Sequence, residues 1–152
     1  MPKAKAHPGQ FGFDFDAPVA ALGVAALAGL ERQICGAVGT ILNSDQRPRE
    51  VIAALMSVQL GEEVSRAMLD AYSSPAREGH KVPMCRFLAL VQVAGRHDVL
   101  DQLLRPIGAA VLVGEEVHTA RIGHLDQQIA QLQNERKKLA SVAPLIRGGS
   151  EA

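Results

Sequence analysis

Residues 48–95 read PREVIAALMSVQLGEEVSRAMLDAYSSPAREGHKVPMCRFLALVQVAG, and their own punctuation divides them into helices. Arg49 to Leu60 has helical spacing, with Val51, Ile52, Leu55, Met56 and Leu60 available for a core. Pro48 suits the first turn of that helix, where a missing amide proton costs nothing, and Asp45 stands where a cap just ahead of it belongs. Gly61 supplies the stop. Ser65 is a good N-cap for a second, short helix from Arg66 to Ser73, and Val64 is positioned to staple its entry. Ser74-Pro75 ends that helix. After the loop AREGHK, Pro83 opens a further helix that runs through Ala94 and closes on Gly95. His97 to Leu104 gives one more short helix, stopped by Pro106.

Composition supports an all-α fold. The chain has 152 residues, enough for one domain with appendages. It has no Trp, one Tyr and four Phe, so its core is built from Leu, Val, Ile, Ala and Met. Its β-branched residues are scattered rather than gathered in alternating runs, which argues against a sheet. Cys35 and Cys85 lie in no metal-ligand spacing and read as small buried hydrophobes in a reducing cytoplasm. The longest apolar stretch, Pro18 to Leu30, is shorter than the roughly 20 residues a bilayer span needs and is broken by Gly23 and Gly29. Asp14 and Asp16 just ahead of it do not suit a signal peptide. The expected location is cytoplasmic.

On either side of the central unit the chain changes character. Met1 to Ala17 (1–17) reads as a flexible arm carrying Phe11, Phe13 and Phe15, which the sharper reading docks on a partner or on the domain's own surface. Pro18 to Leu42 has helical spacing, with Leu22, Ala26, Leu30, Ile34, Val38 and Ile41 along one stripe. Its glycines each cost about 1 kcal/mol against Ala, so its first part is expected to fray or to allow close helix contact. The helical domain spans 18–108. Residues 109–114 form a connector that includes AAVLV, the one plausible strand, which lacks a visible partner. Residues 115–140 form a dimerising helix: Ile122, Leu125, Ile129, Leu132, Arg136 and Leu139 follow heptad spacing. Ile at a and Leu at d favour a parallel two-stranded coiled coil, with Arg121 facing Asp126 of a second chain. The alternative is a single long helix folded back on its own domain. Residues 141–152 read as a tail.

Helix, glycine turn, short helix, loop, helix is also the order of parts in a helix-turn-helix DNA reader. The second helix of such a unit lays its N-terminal residues against base edges in the major groove. Val64, Met68, Leu69 and Tyr72 share one face and pack inward, which leaves Arg66, Ala67, Asp70 and Ser73 outward. Arg66 suits a bidentate contact to guanine, and Ser65 a phosphate contact made while capping. Asp70 repels phosphate unless it accepts from a cytosine amino group or orients Arg66. Arg77, His80, Lys81 and Arg86 follow closely enough to hold the backbone. Arg47 and Arg49 lie at the start of the first motif helix, where such proteins touch phosphate.

The charge does not take sides with DNA. Lys+Arg equals Asp+Glu over the whole chain, and also within 1–44, within 45–100 and within 101–152. Nucleic-acid binders draw much of their affinity from a basic excess, so these cations must be segregated by face to serve. Alternatively, the solvated charges belong to an ordinary helical bundle. Catalysis finds no foothold: the five His sit at no ligand spacing, and Glu62-Glu63 and Glu115-Glu116 are adjacent pairs whose members point apart. No enzyme activity, metal or cofactor is expected.

The run from Leu42 to Gly95, with its Gly-x-x-Val-Ser, its short helix ending in Tyr72 and its Pro-opened helix closing on Ala-Gly, resembles the Cro/lambda-repressor type of helix-turn-helix domain. More particularly it looks like the small regulatory proteins of temperate and Mu-like phages and their prophages. These carry a stretch like Met68-Leu69-Asp70-Ala71-Tyr72, a loop ending in His, and then a Pro-led helix. The likeness covers residues 31–140. It implies double-stranded DNA as partner and a role in phage or prophage transcription. Carried over, Val64-Ser65 is the motif's turn, Met68 and Leu69 its buried pair, and Tyr72 the aromatic that ends the recognition helix. One departure is that Ala53 and Gly61 stand eight apart where the usual spacing is about four, which lengthens the first motif helix by a turn. A dimer of this kind reads half-sites about 34 Å apart, and Arg66→Ala then weakens specific binding by about 1 to 3 kcal/mol. The competing reading is a non-enzymatic interaction module, a helical dimer that binds a host or phage protein through the Phe arm or the C-terminal helix. Neutral charge favours that alternative.

Overall fold

Proline and glycine set the helix ends that the sequence predicts. A computed structural model describes residues 17–76 and 79–142. It divides into two units, the first ending at Val111 and the second beginning at Leu112. Among the described residues all regular structure is helical.

In the first unit, α1 (Leu30–Ser44) is followed by α2 (Arg49–Leu60), α3 (Arg66–Tyr72), α4 (Met84–Ala94) and α5 (His97–Leu104), which runs into a 3₁₀ turn at Arg105–Ile107. The two Pro-Gly helices are built alike. Pro48 and Pro83 sit just ahead of α2 and α4, and their carbonyls accept the first helical amides, from Ile52 and Phe87. Gly61 and Gly95 close the same two helices in the left-handed conformation, both at φ 65°, where a side chain is strained. Ser65 caps α3 as expected, its hydroxyl accepting from the Met68 amide at 3.3 Å. Ser57 on α2 holds the turn between the two: its Oγ accepts from the Val64 amide at 2.8 Å and donates to the Ala53 carbonyl at 2.8 Å.

The core lies where these helices meet. Val38 and Ile41 from α1, Ile52 and Met56 from α2, Leu69 from α3 and Leu90 from α4 are all but inaccessible, and Val64, Tyr72, Phe87 and Val99 close around them. α2 packs most extensively on α4, and α1 touches α3, α4 and α5. Among the described residues Tyr72 is the one buried residue whose side chain carries a polar atom, so the core rests chiefly on apolar burial.

Several sequence expectations fail here, the burial of the cysteines among them: Cys35 is half-buried and Cys85 on α4 is exposed. The helix expected from Pro18 begins only at Leu30. Gly23 (φ 116°), Ala25 (φ 57°) and Gly29 (φ 81°) all take left-handed backbone, which no α-helix accommodates, and Leu22 of the anticipated stripe is 90% exposed. The segment instead lies along the far end of the unit, where the Ala21 amide donates to the Pro106 carbonyl at 2.8 Å. A Cβ on Gly108 would come within 3.2 Å of Ala20. Val51 and Leu55, expected inside, are exposed, because α2 turns its Ile52–Ala53–Met56 edge to the core. Asp45 does not cap α2. Its carboxylate folds onto the Arg47 amide and guanidinium. Residues 109–111 form no strand. The Val111 amide donates to Asp101 Oδ1 at 2.9 Å, which ties the connector to α5.

The second unit is α6 (Glu116–Val142), so the helix continues two residues past the expected Ala140. All its described residues are exposed, the heptad residues Ile122, Leu125, Ile129, Leu132 and Leu139 among them. The Phe arm and residues 143–152 of the expected tail lie outside the described residues. Among those described, no helix is long and apolar enough to cross a membrane.

Candidate nucleic-acid interface

α3 is two turns long, too short to hold its own shape in water, and its orientation comes from the residues it buries. Leu69, Ala71 and Tyr72 face the core, and Met68 packs partly buried against it. By helical geometry this leaves Arg66 and Ala67 exposed and Asp70 half-buried at the rim. Ser73 is half-buried at the C-terminal cap, and its hydroxyl donates to the Asp70 carbonyl at 3.2 Å.

Three of the expected contact residues come together in one ionic network. Asp70 accepts from Arg49 Nη1 through Oδ1 at 2.5 Å and faces Arg66 Nε through Oδ2 at 3.4 Å. Arg66 reaches across to Glu50 on α2, and Arg49 also donates to Asn43 Oδ1 at 2.9 Å. The Arg49 guanidinium, with Arg66 beside it, holds the Asp70 carboxyl below its usual range. Glu50 is lowered first by its own backbone amide at the helix start and then by Arg66. Two cations and two carboxylates thus form a neutral, preorganised patch shared by α1, α2 and α3. Glu50 and Asn43 went unrecognised in the sequence because their partners lie 16 and 6 residues away, outside any helical repeat.

The remaining expected residues lie apart from this network. Arg47 is turned onto Asp45 and donates to the Val93 carbonyl at 2.8 Å, locking the α1–α2 turn to the end of α4. The Arg47 guanidinium hydrogen-bonded to Asp45 pulls the Asp45 pKa down to about 2. Lys81 pairs with Glu31 at 2.9 Å. Lys81 and the exposed His80 line an open cleft of about 860 Å³ that also reaches Cys35 and Tyr72. Arg77 lies outside the described residues. Arg86 serves the fold: it is mostly buried, paired with Glu62 at 2.9 Å and bonded to the Tyr72 hydroxyl at 2.6 Å. Glu62 first, and Tyr72 after it, raise its pKa.

Among the described residues of this unit, every Lys and Arg other than Arg32 is held in an ion pair. No group of three or more His, Cys, Asp or Glu among them sits close enough to hold a metal ion. Compared with known proteins, the chain matches no protein-family model, no curated protein and no solved structure.

Proposed function

We propose that this chain is a non-enzymatic, sequence-specific DNA-binding regulator of the phage or prophage type, acting as a cytoplasmic dimer. The observation that carries the reading is the outer face of α3. Its cap, Ser65, is followed by the exposed Arg66 and Ala67, while Asp70 links Arg66 to Arg49 at the start of α2. A helix so presented offers Arg66 to a base edge, with Asp70 fixing the guanidinium plane, and leaves Arg49 beside it for phosphate. The phage assignment rests on the sequence pattern of residues 31–140. The test is fluorescence anisotropy of the protein against DNA flanking its own gene, over a salt series. Selective binding that falls steeply with salt is expected, together with a loss of about tenfold or more in Arg66→Ala. An Arg66→Ala protein that binds its site as the parent does refutes the assignment of α3.

A second reading, a helical module that binds another protein, draws support from the ion pairing itself. Cations already matched by carboxylates add little to affinity for a polyanion. Weak DNA binding that ignores salt decides for this reading.

A further inference from the structure

α6 is a helix with two unlike halves. From Glu116 to Ile129 it carries Glu116 and Asp126 against Arg121; from Ala130 to Val142 it carries Arg136, Lys137 and Lys138 against Glu135. Leaving aside His118 and His124 in the N-terminal half, that half carries one net negative charge and the C-terminal half two net positive ones. Among the described residues no charge of α6 is in an ion pair. Along the same helix Ile122, Leu125, Ile129, Leu132 and Leu139 are 45–71% exposed at heptad spacing.

We propose that a second copy of α6 covers this stripe and lies antiparallel to it. The a/d residue types and an Arg121–Asp126 pair favour parallel strands, but Arg136 and the division of charge between the two halves oppose that arrangement. Parallel strands set acidic half on acidic half and basic on basic, and they bring Arg136, at an a position, against its own copy. Antiparallel strands set each acidic half on a basic one and oppose the two helix dipoles. With Ile129 level with Leu132 of the second copy, Ile122 meets Leu139 and Arg136 lies level with Leu125, one residue from Asp126. Arg136 then extends along the leucine and ends at that carboxylate.

The proposal rests on the self-association reading and is independent of DNA. Its test uses the full chain without nucleic acid. Light scattering at about 100 μM is expected to give the mass of a dimer, and Ile129→Asp that of a monomer. The parent Ile129 is already 51% exposed, so the variant leaves the first unit folded. Orientation is read by double electron–electron resonance on a spin label at Thr119→Cys, in a Cys35→Ala, Cys85→Ala background. Antiparallel strands in this register put the two labels about 35 Å apart, from a rise of 1.5 Å per residue; parallel strands put them within about 20 Å, from the interaxial distance. A dimer with the shorter distance overturns the orientation. A monomeric parent overturns the pairing and leaves the stripe to this chain's own first unit or to another protein. Neither readout depends on the DNA-binding assignment, so failure here is distinct from failure of that assignment.

Discussion

Replacing Asp70 by Asn separates what the ionic network does for the fold from what it does for the surface. The Asp70 side chain is 39% exposed, Arg49 29% and Arg66 59%. Ion pairs this exposed contribute about 0–1 kcal/mol each. Asp70 also stands in the last turns of α3, where a negative charge meets the negative end of the helix dipole, and Asn removes that unfavourable term. The two effects offset, so the unfolding free energy is expected to move by less than about 1 kcal/mol. The surface changes more. Arg49 loses its only carboxylate partner among the described residues, while Arg66 keeps Glu50. Roughly one additional phosphate contact then becomes available, which steepens the slope of log affinity against log salt by about 0.9. Between 50 and 200 mM salt that difference amounts to about threefold. Binding to random DNA is expected to tighten at low salt, while preference for the specific site declines because Arg66 loses one of the two carboxylates that orient it. Anisotropy titrations of parent and variant on specific and random duplexes, with urea unfolding alongside, check all three quantities. An unchanged or shallower salt slope in a variant as stable as the parent shows that this face does not meet phosphate.

Three further outcomes follow from the geometry. Ser65→Ala removes the acceptor for the Met68 amide and is expected to cost about 1 kcal/mol in urea unfolding. Tyr72→Phe deletes the hydroxyl that Arg86 holds at 2.6 Å and is expected to cost about 1–2 kcal/mol, a loss not repeated when Arg86 has already been replaced by Met in a double-mutant cycle. Asp45 has a folded pKa of about 2 against an ordinary 3.8, so the folded state binds its proton less readily than the unfolded chain. Its contribution is therefore complete above about pH 4 and disappears as the pH falls toward 2. Asp45→Asn should lower stability at neutral pH and flatten the acid limb of a stability–pH curve across that window; an unchanged limb contradicts the Arg47 contact.

The helix borders were legible because they are set locally. Pro48, Gly61, Ser65, Pro83 and Gly95 act through their own φ angles and first-turn bonds, which neighbours in the chain determine. The choice of inward face was less so. α2 carries apolar residues around much of its circumference, and the docking of α4, some thirty residues later, selects Ile52 and Met56 over Val51 and Leu55. The stretch ahead of Leu30 had helical periodicity without a core to pack on, and periodicity alone does not sustain a helix rich in glycine. Of the outward set Arg66, Ala67, Asp70 and Ser73, the first two are exposed and the last two half-buried, and of the two roles open to Asp70 the pairing with Arg66 is present. The contributions of Glu50, Asn43 and Glu62 depend on tertiary approach. The one trace they left was the balance of charge within residues 45–100, where every described Lys and Arg is held in an ion pair.

Arg86 gives the short α3 an unexpected dependence. It belongs to α4, yet it joins Glu62 in the turn to Met68 and Tyr72 on α3. The aim of the two-turn helix, set first by the residues it buries, thus also depends on a residue that enters the chain 14 positions after Tyr72. Residues 49–72 are therefore not a transplantable cartridge. Moved to another scaffold without α4, they would keep their composition and lose their direction, and exchange between related chains would preserve this surface only where the crossover carries both helices together.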